Sequence, residues 1–137
     1  MQNKVEQEIE QLIQYSIGFA DEVLKKYGEF YPFASLILLT GELVPLGIHS
    51  GEEFPDSSQL VLETQELLEQ RIDKGELIAY AMAIDTQITN EQFPQSIDAI
   101  CIRTFHTQRQ EQVNYYFPYQ HSNERIEIME GWGEYAN

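Results

Sequence analysis

Basic residues are scarce in this chain: eight lysines and arginines stand against 23 aspartates and glutamates, for a formal net charge of −15 in 137 residues. The acids are spread along the whole length, and a uniformly negative surface repels nucleic acid and anionic lipid. Nucleic-acid and membrane-surface roles are therefore disfavoured, and a basic protein partner is favoured. Cysteine is nearly missing. Cys101 stands alone, which excludes an intramolecular disulfide and leaves nothing pointing to an oxidising compartment. Long apolar runs are lacking as well: the most apolar stretches, residues 33–39 and 78–84, are strand-length and far short of a membrane span. Met1 to Glu8 has no apolar core of the kind a signal peptide needs. A phosphate-binding glycine motif, a nucleophile elbow and metal-ligand spacing are all absent. These absences lead to the expectation of a soluble, cytoplasmic protein with no cofactor and no catalytic constellation.

What is present describes a folded globule. A hydrophobic content of 42% and an aromatic content of 12% argue against disorder, and the length suits a single domain with its own core. Residues 4–27 place Val5, Ile9, Leu12, Ile13, Ala20, Val23, Leu24 and Tyr27 on one core-facing helical stripe, with Phe19 beside them, leaving Glu6, Glu8, Glu10, Asp21 and Glu22 for solvent. Lys25 and Lys26 complement the negative helix end and Gly28 offers a left-handed stop. Gly18, in mid-helix, is expected to mark close contact with another element.

The stretch from Lys25 to Ala34 is an architectural joint, ending the helix and delivering the chain through Pro32 into a strand. A hairpin follows, 34–39 and 43–49, whose second arm carries Pro45 and so belongs at an edge. After the polar loop 50–57, Asp56 or Ser57 caps a second helix that stops at Gly75. From Glu76 the period changes to two, with Ile78, Tyr80, Met82 and Ile84 on one side and Ala79, Ala81, Ala83 and Asp85 on the other. Three more strands are predicted: 97–106, 112–120, and 125 to about 132. The expected fold is α+β, in the order α-β-β-α-β-β-β-β, with two helices on one face of a mostly antiparallel sheet of about six strands. Strand 97–106 is apolar on both faces, so something else must cover the second face. A homo-oligomer, most simply a homodimer, is the economical expectation.

Candidate chemistry is thin. Cys101 and His106 are five apart on one strand, which puts them on opposite faces and argues against a thiol–imidazole dyad; a cysteine between Ile100 and Ile102 is more simply a small buried hydrophobe. His49, Glu52, Glu53 and Asp56 are clustered enough for strand ends to assemble a site there, although a solvated acidic loop capping a helix is the plainer reading. Asp98 sits in the apolar run 97–102 and must be paired across strands or lie at an exposed strand start, since Arg103 has the opposite parity. Tyr115, Tyr116 and Tyr119, joined by Trp132, suggest an aromatic sheet face. Without a basic groove such a face suits a second hydrophobic layer, or a patch for a partner or a twin subunit, better than stacked bases.

The segment Lys26-Tyr27-Gly28-Glu29-Phe30-Tyr31-Pro32-Phe33-Ala34, with Asp98-Ala99-Ile100 and Tyr116-Phe117-Pro118-Tyr119, resembles a group of small bacterial proteins of unknown function. The resemblance implies the same order of helices and strands over most of the chain and supplies no catalytic residue. It also fits small acidic bacterial proteins such as immunity proteins, which block toxins through an acidic surface. The leading expectation is a non-enzymatic, acidic protein-interaction module, inhibitory or immunity-like in its sharper form. The alternative is a small-molecule binder or minor hydrolase using loop 49–56 and the aromatic strand 115–119.

Overall fold

The computed structural model describes residues 3–46, 56–109, 111–123 and 125–135; the expectations placed on His49, Glu52 and Glu53 lie outside the described residues. Helix α1 (Lys4–Tyr27) begins where the Asn3 side chain accepts the Glu6 amide N–H at 2.8 Å. It ends where Gly28, at φ 76°, donates its amide N–H to the Leu24 carbonyl at 2.8 Å. Phe30 and Pro32 are buried, and they anchor the joint as it enters β1 (Phe33–Leu38). β2 (Leu43–Leu46) closes the hairpin, and Asp56 caps α2 (Ser57–Asp73) by accepting the amides of Ser58 and Gln59. β3 (Leu77–Ile88), β4 (Ile97–His106), β5 (Val113–Ser122), β6 (Arg125–Ile128) and β7 (Trp132–Tyr135) complete the chain. No helix among the described residues is long and apolar enough to cross a membrane.

The sheet is antiparallel throughout, in the order β2-β1-β3-β4-β5, with β6 and β7 sharing the outer edge of β5. Pro45 stands on an edge strand, where a missing N–H leaves no ladder bond unmade. The fold is α+β, and the sheet has seven strands against the six expected, because the last predicted strand is broken by a bulge. Tyr119 pairs with Ile128, but Tyr116 pairs with Trp132, so one extra residue is accommodated around 129–131. Gly131 lies at this point because a Cβ there would come within 2.4 Å of the Phe117 ring and 2.5 Å of the Tyr116 carbonyl oxygen.

The helices do not share a face. Leu12, Ala20 and Leu24 of α1 meet Ala79, Ala81 and Ala83 of β3 with Ile100 and Ile102 of β4. Leu68 of α2 meets Tyr80 and Met82, the alternate positions of β3, with Ala34 and Leu36. Alternation along β3 therefore puts α1 and α2 on opposite faces. Connectivity explains the arrangement. β2 and β3 are both antiparallel to β1, hence parallel to each other, and parallel strands are joined by a crossover over one face, which α2 provides. α1 then covers the alanine face, where small side chains allow close approach. The expectation of self-association rested on one face lacking cover, and it loses that premise.

Three further expectations for α1 change. Tyr27, placed on the core-facing stripe, is the last residue of the helix and stands exposed. Gly18 is exposed and nothing lies within 4 Å of the Cβ it lacks, so it marks no close contact. Glu8, assigned to solvent by its polarity, is buried.

Candidate functional site

α2 lies over β1 and β3, and between its first turns and the strands beyond runs a groove of about 450 Å3. Ser58, Val61 and Leu62 form the helix wall; Ile84, Thr86, Cys101, Arg103, Asn114 and Tyr116 form the floor. A second hollow of about 330 Å3, reaching Trp132 and Glu134, shares Thr86 and Tyr116 with the first.

Strand pairing sets the floor in two rows. Met82, Arg103, Asn114 and Glu134 stand abreast on β3, β4, β5 and β7, and Ile84, Cys101, Tyr116 and Trp132 form the next row. The bulge is what brings Trp132 here. In unbroken register with β6 it would face Tyr115 on the α1 side; the extra residue reverses its parity and sets its ring 6.0 Å from that of Tyr116.

Arg103 is the cation of this floor, and it is half-buried. Its Nε donates to Asn114 Oδ1 at 3.3 Å and its Nη1 to Gln65 Oε1 at 3.2 Å, both neutral amides. Gln65 in turn donates from Nε2 to the Tyr80 hydroxyl at 3.0 Å, which also accepts from Gln112 at 2.8 Å. Burial pushes the Tyr80 hydroxyl up, against the lowering effect of those two donors. This network ties α2 to three strands and holds the guanidinium plane in place.

Cys101 also faces the groove and is almost fully buried. Burial pushes its thiol up to about 11, outweighing the lowering effect of Arg103. It is thus a neutral thiol near pH 7, with little nucleophilic character. His106 points to the other face, as the strand parity predicts. Its Nδ1 accepts the Gln108 amide at 3.0 Å, so Nε2 carries the ring proton and donates it to Glu8 Oε1 at 3.0 Å.

The predicted site residues are dispersed. Tyr116 and Trp132 line the groove hollows. Tyr115 and Tyr119 lie on the α1 side against the main core, and Tyr119 is only 2% exposed, so residues 115–119 do not form one aromatic face. The Tyr119 hydroxyl donates to Asp85 Oδ1 at 2.7 Å. Burial, and then the bonded carboxylate, raise the Tyr119 hydroxyl. Asp98 accepts from Gln87, its register partner, at 3.2 Å, which is the cross-strand pairing expected of it. The more engaged carboxylate is Asp85, which also accepts the Phe30 backbone N–H and so fastens the joint to β3. Burial raises its carboxyl above the ordinary value more than these bonds lower it.

Sequence reasoning missed Arg103 as a site residue, although a cation inside an apolar strand of so acidic a chain is a readable signal. It missed Glu8 because its partner lies 98 positions away. Among the described residues, no three histidine, cysteine, aspartate or glutamate side chains come together as a group that could hold a metal ion. No protein-family model, curated protein or solved structure matches this chain.

Proposed function

We propose that this chain is a non-enzymatic protein-interaction module that engages a basic surface, acting as an inhibitor or neutraliser of the protein that carries it. The observation that supports this reading is the outward face of α2. Leu62 is 62% exposed and Leu67 42% exposed, and Glu63, Glu66, Glu69 and Asp73 are exposed around them. Leu62, with these carboxylates beside it, offers an apolar anchor with a negative rim, and Leu67 adds apolar surface further round the helix, in a chain whose net charge is −15. Such a surface steers a basic partner by long-range attraction and holds it by apolar contact. A small bacterial inhibitor covering the cationic cleft of a toxin enzyme is the sharper form.

The test is affinity capture from source-cell lysate with the wild-type chain and with the double variant Glu66→Lys, Glu69→Lys. The expected result is a basic protein retained by the wild type, lost by the charge-reversed variant, and released by moderate salt. A wild-type column that retains nothing, or a retained protein indifferent to the charge reversal, overturns the reading.

A further inference from the structure

We propose that the groove beside α2 binds a small organic monocarboxylate with an apolar body, and that Arg103 is its anion receptor. This site adjoins the acidic face of α2 and shares Leu62 with it, but it does not depend on the protein-interaction reading.

The argument begins with the charge of Arg103. In a chain where acidic residues outnumber basic ones 23 to eight, a half-buried guanidinium would ordinarily find a carboxylate. Among the described residues, the ion pairs at side-chain distance are Lys25–Asp21, Arg71–Glu76 and His106–Glu8, and Arg103 has none. Its two protein acceptors are the neutral amides of Asn114 and Gln65. A guanidinium presents five N–H donors, so three, including both on Nη2, have no acceptor among the described residues. The two amides also fix the plane of the fork, so little freedom is lost when an anion is gripped by the remaining edge.

The surroundings select the ligand class. The volume of about 450 Å3 lies within the range of small-molecule sites. Val61, Leu62, Ile84 and the Tyr116 ring supply apolar walls for a hydrocarbon or aryl body. Among the described residues, Arg103 is the one charged side chain lining the main groove, while Glu134 stands at the adjoining hollow. A phosphate or dicarboxylate would carry a second negative charge that no cation among the described lining residues meets, whereas a single carboxylate matches a single fork.

Trp132, the only tryptophan in the chain, stands in the adjoining hollow and reports occupancy by its fluorescence. The full chain is titrated with 4-phenylbutyrate and with straight-chain carboxylates from butyrate to decanoate, each beside its neutral amide. At least one acid is expected to bind saturably, with its amide about 10- to 100-fold weaker, the ratio expected for a charge-assisted bond. Arg103→Gln is expected to weaken the acid far more than its amide, so that the two bind alike, and Arg103→Lys to fall between. The proposal is overturned if no acid in the series binds saturably, if acid and amide bind alike, or if Arg103→Gln binds the acid as the wild type does. Should Arg103→Gln fail to fold, the comparison of acid with amide on the wild-type chain decides alone.

Discussion

At the scale of single residues, Asp85 carries the clearest pH signature. Its carboxyl is raised above the ordinary 3.8 chiefly by burial, with Asp98 and Glu29 adding to the rise. The folded chain therefore holds this proton more tightly than the unfolded chain does. The stability associated with the protonated group is fully present below 3.8 and is lost as pH rises through the raised value. Asparagine keeps an oxygen for the Tyr119 hydroxyl and the Phe30 amide and cannot ionise. Asp85→Asn is thus expected to match the wild type at pH 3 and to have a higher urea midpoint than the wild type at pH 7. A variant with a lower midpoint at pH 7 would show that the carboxylate is needed as a charge. Arg103 belongs to this scale too, since the ligand reading turns on one side chain and the charge it faces.

Two glycines carry the argument at the scale of elements, with opposite signs. Gly18 sits in the exposed middle of α1 with open space where a Cβ would be, so Gly18→Ala is expected to stabilise the chain by about 0.5–1 kcal/mol in chemical denaturation. Gly131 is the reverse. Its Cβ would meet the backbone oxygen of Tyr116 as well as the Phe117 ring. Gly131→Ala is expected to cost about 1–3 kcal/mol and to disturb the bulge that turns Trp132 toward Tyr116. A shift in tryptophan fluorescence accompanying the lost stability would tie the two effects together; unchanged stability would refute the close approach.

These elements also show how far local reasoning reaches. The stop at Gly28, the start at Asp56, and the two-residue alternation along β3 depend on neighbours within a few positions, and such signals are written directly into sequence. The joint at residues 25–34 was legible for the same reason, as was the edge position of Pro45. The break between β6 and β7 was not. One extra residue in a strand changes neither composition nor propensity, yet it reverses which face every later side chain takes. Trp132 was picked out as notable, but its neighbour could not be.

At the scale of the whole molecule, the tie between His106 and Glu8 joins the first helix to the fourth strand across nearly the full chain. His106 is 1% exposed, so removing its acceptor strands a buried ring N–H. Glu8→Ala is expected to lower unfolding free energy by about 1–3 kcal/mol, and Glu8→Gln, which keeps an oxygen at the same place, to lose less. Equal losses for the two variants would show that the hydrogen bond is not what Glu8 contributes. The placement of the helices belongs here as well: each covers one sheet face, and the groove exists because α2 reaches only part of its own.

The sequence by itself determined the class of fold, the helices with the stop at Gly28 and the start at Asp56, the two faces of β3 and the strongly negative charge. These follow from local geometry and from composition. Only the tertiary structure decided that the helices lie on opposite faces, because that depends on the crossover from β2 to β3. It alone buried Glu8 against His106 and joined Asp85 to Tyr119. It also set Arg103 and Tyr116 in one groove and Trp132 in the hollow beside it, a constellation drawn from three strands whose registers, and one bulge, no local pattern encodes.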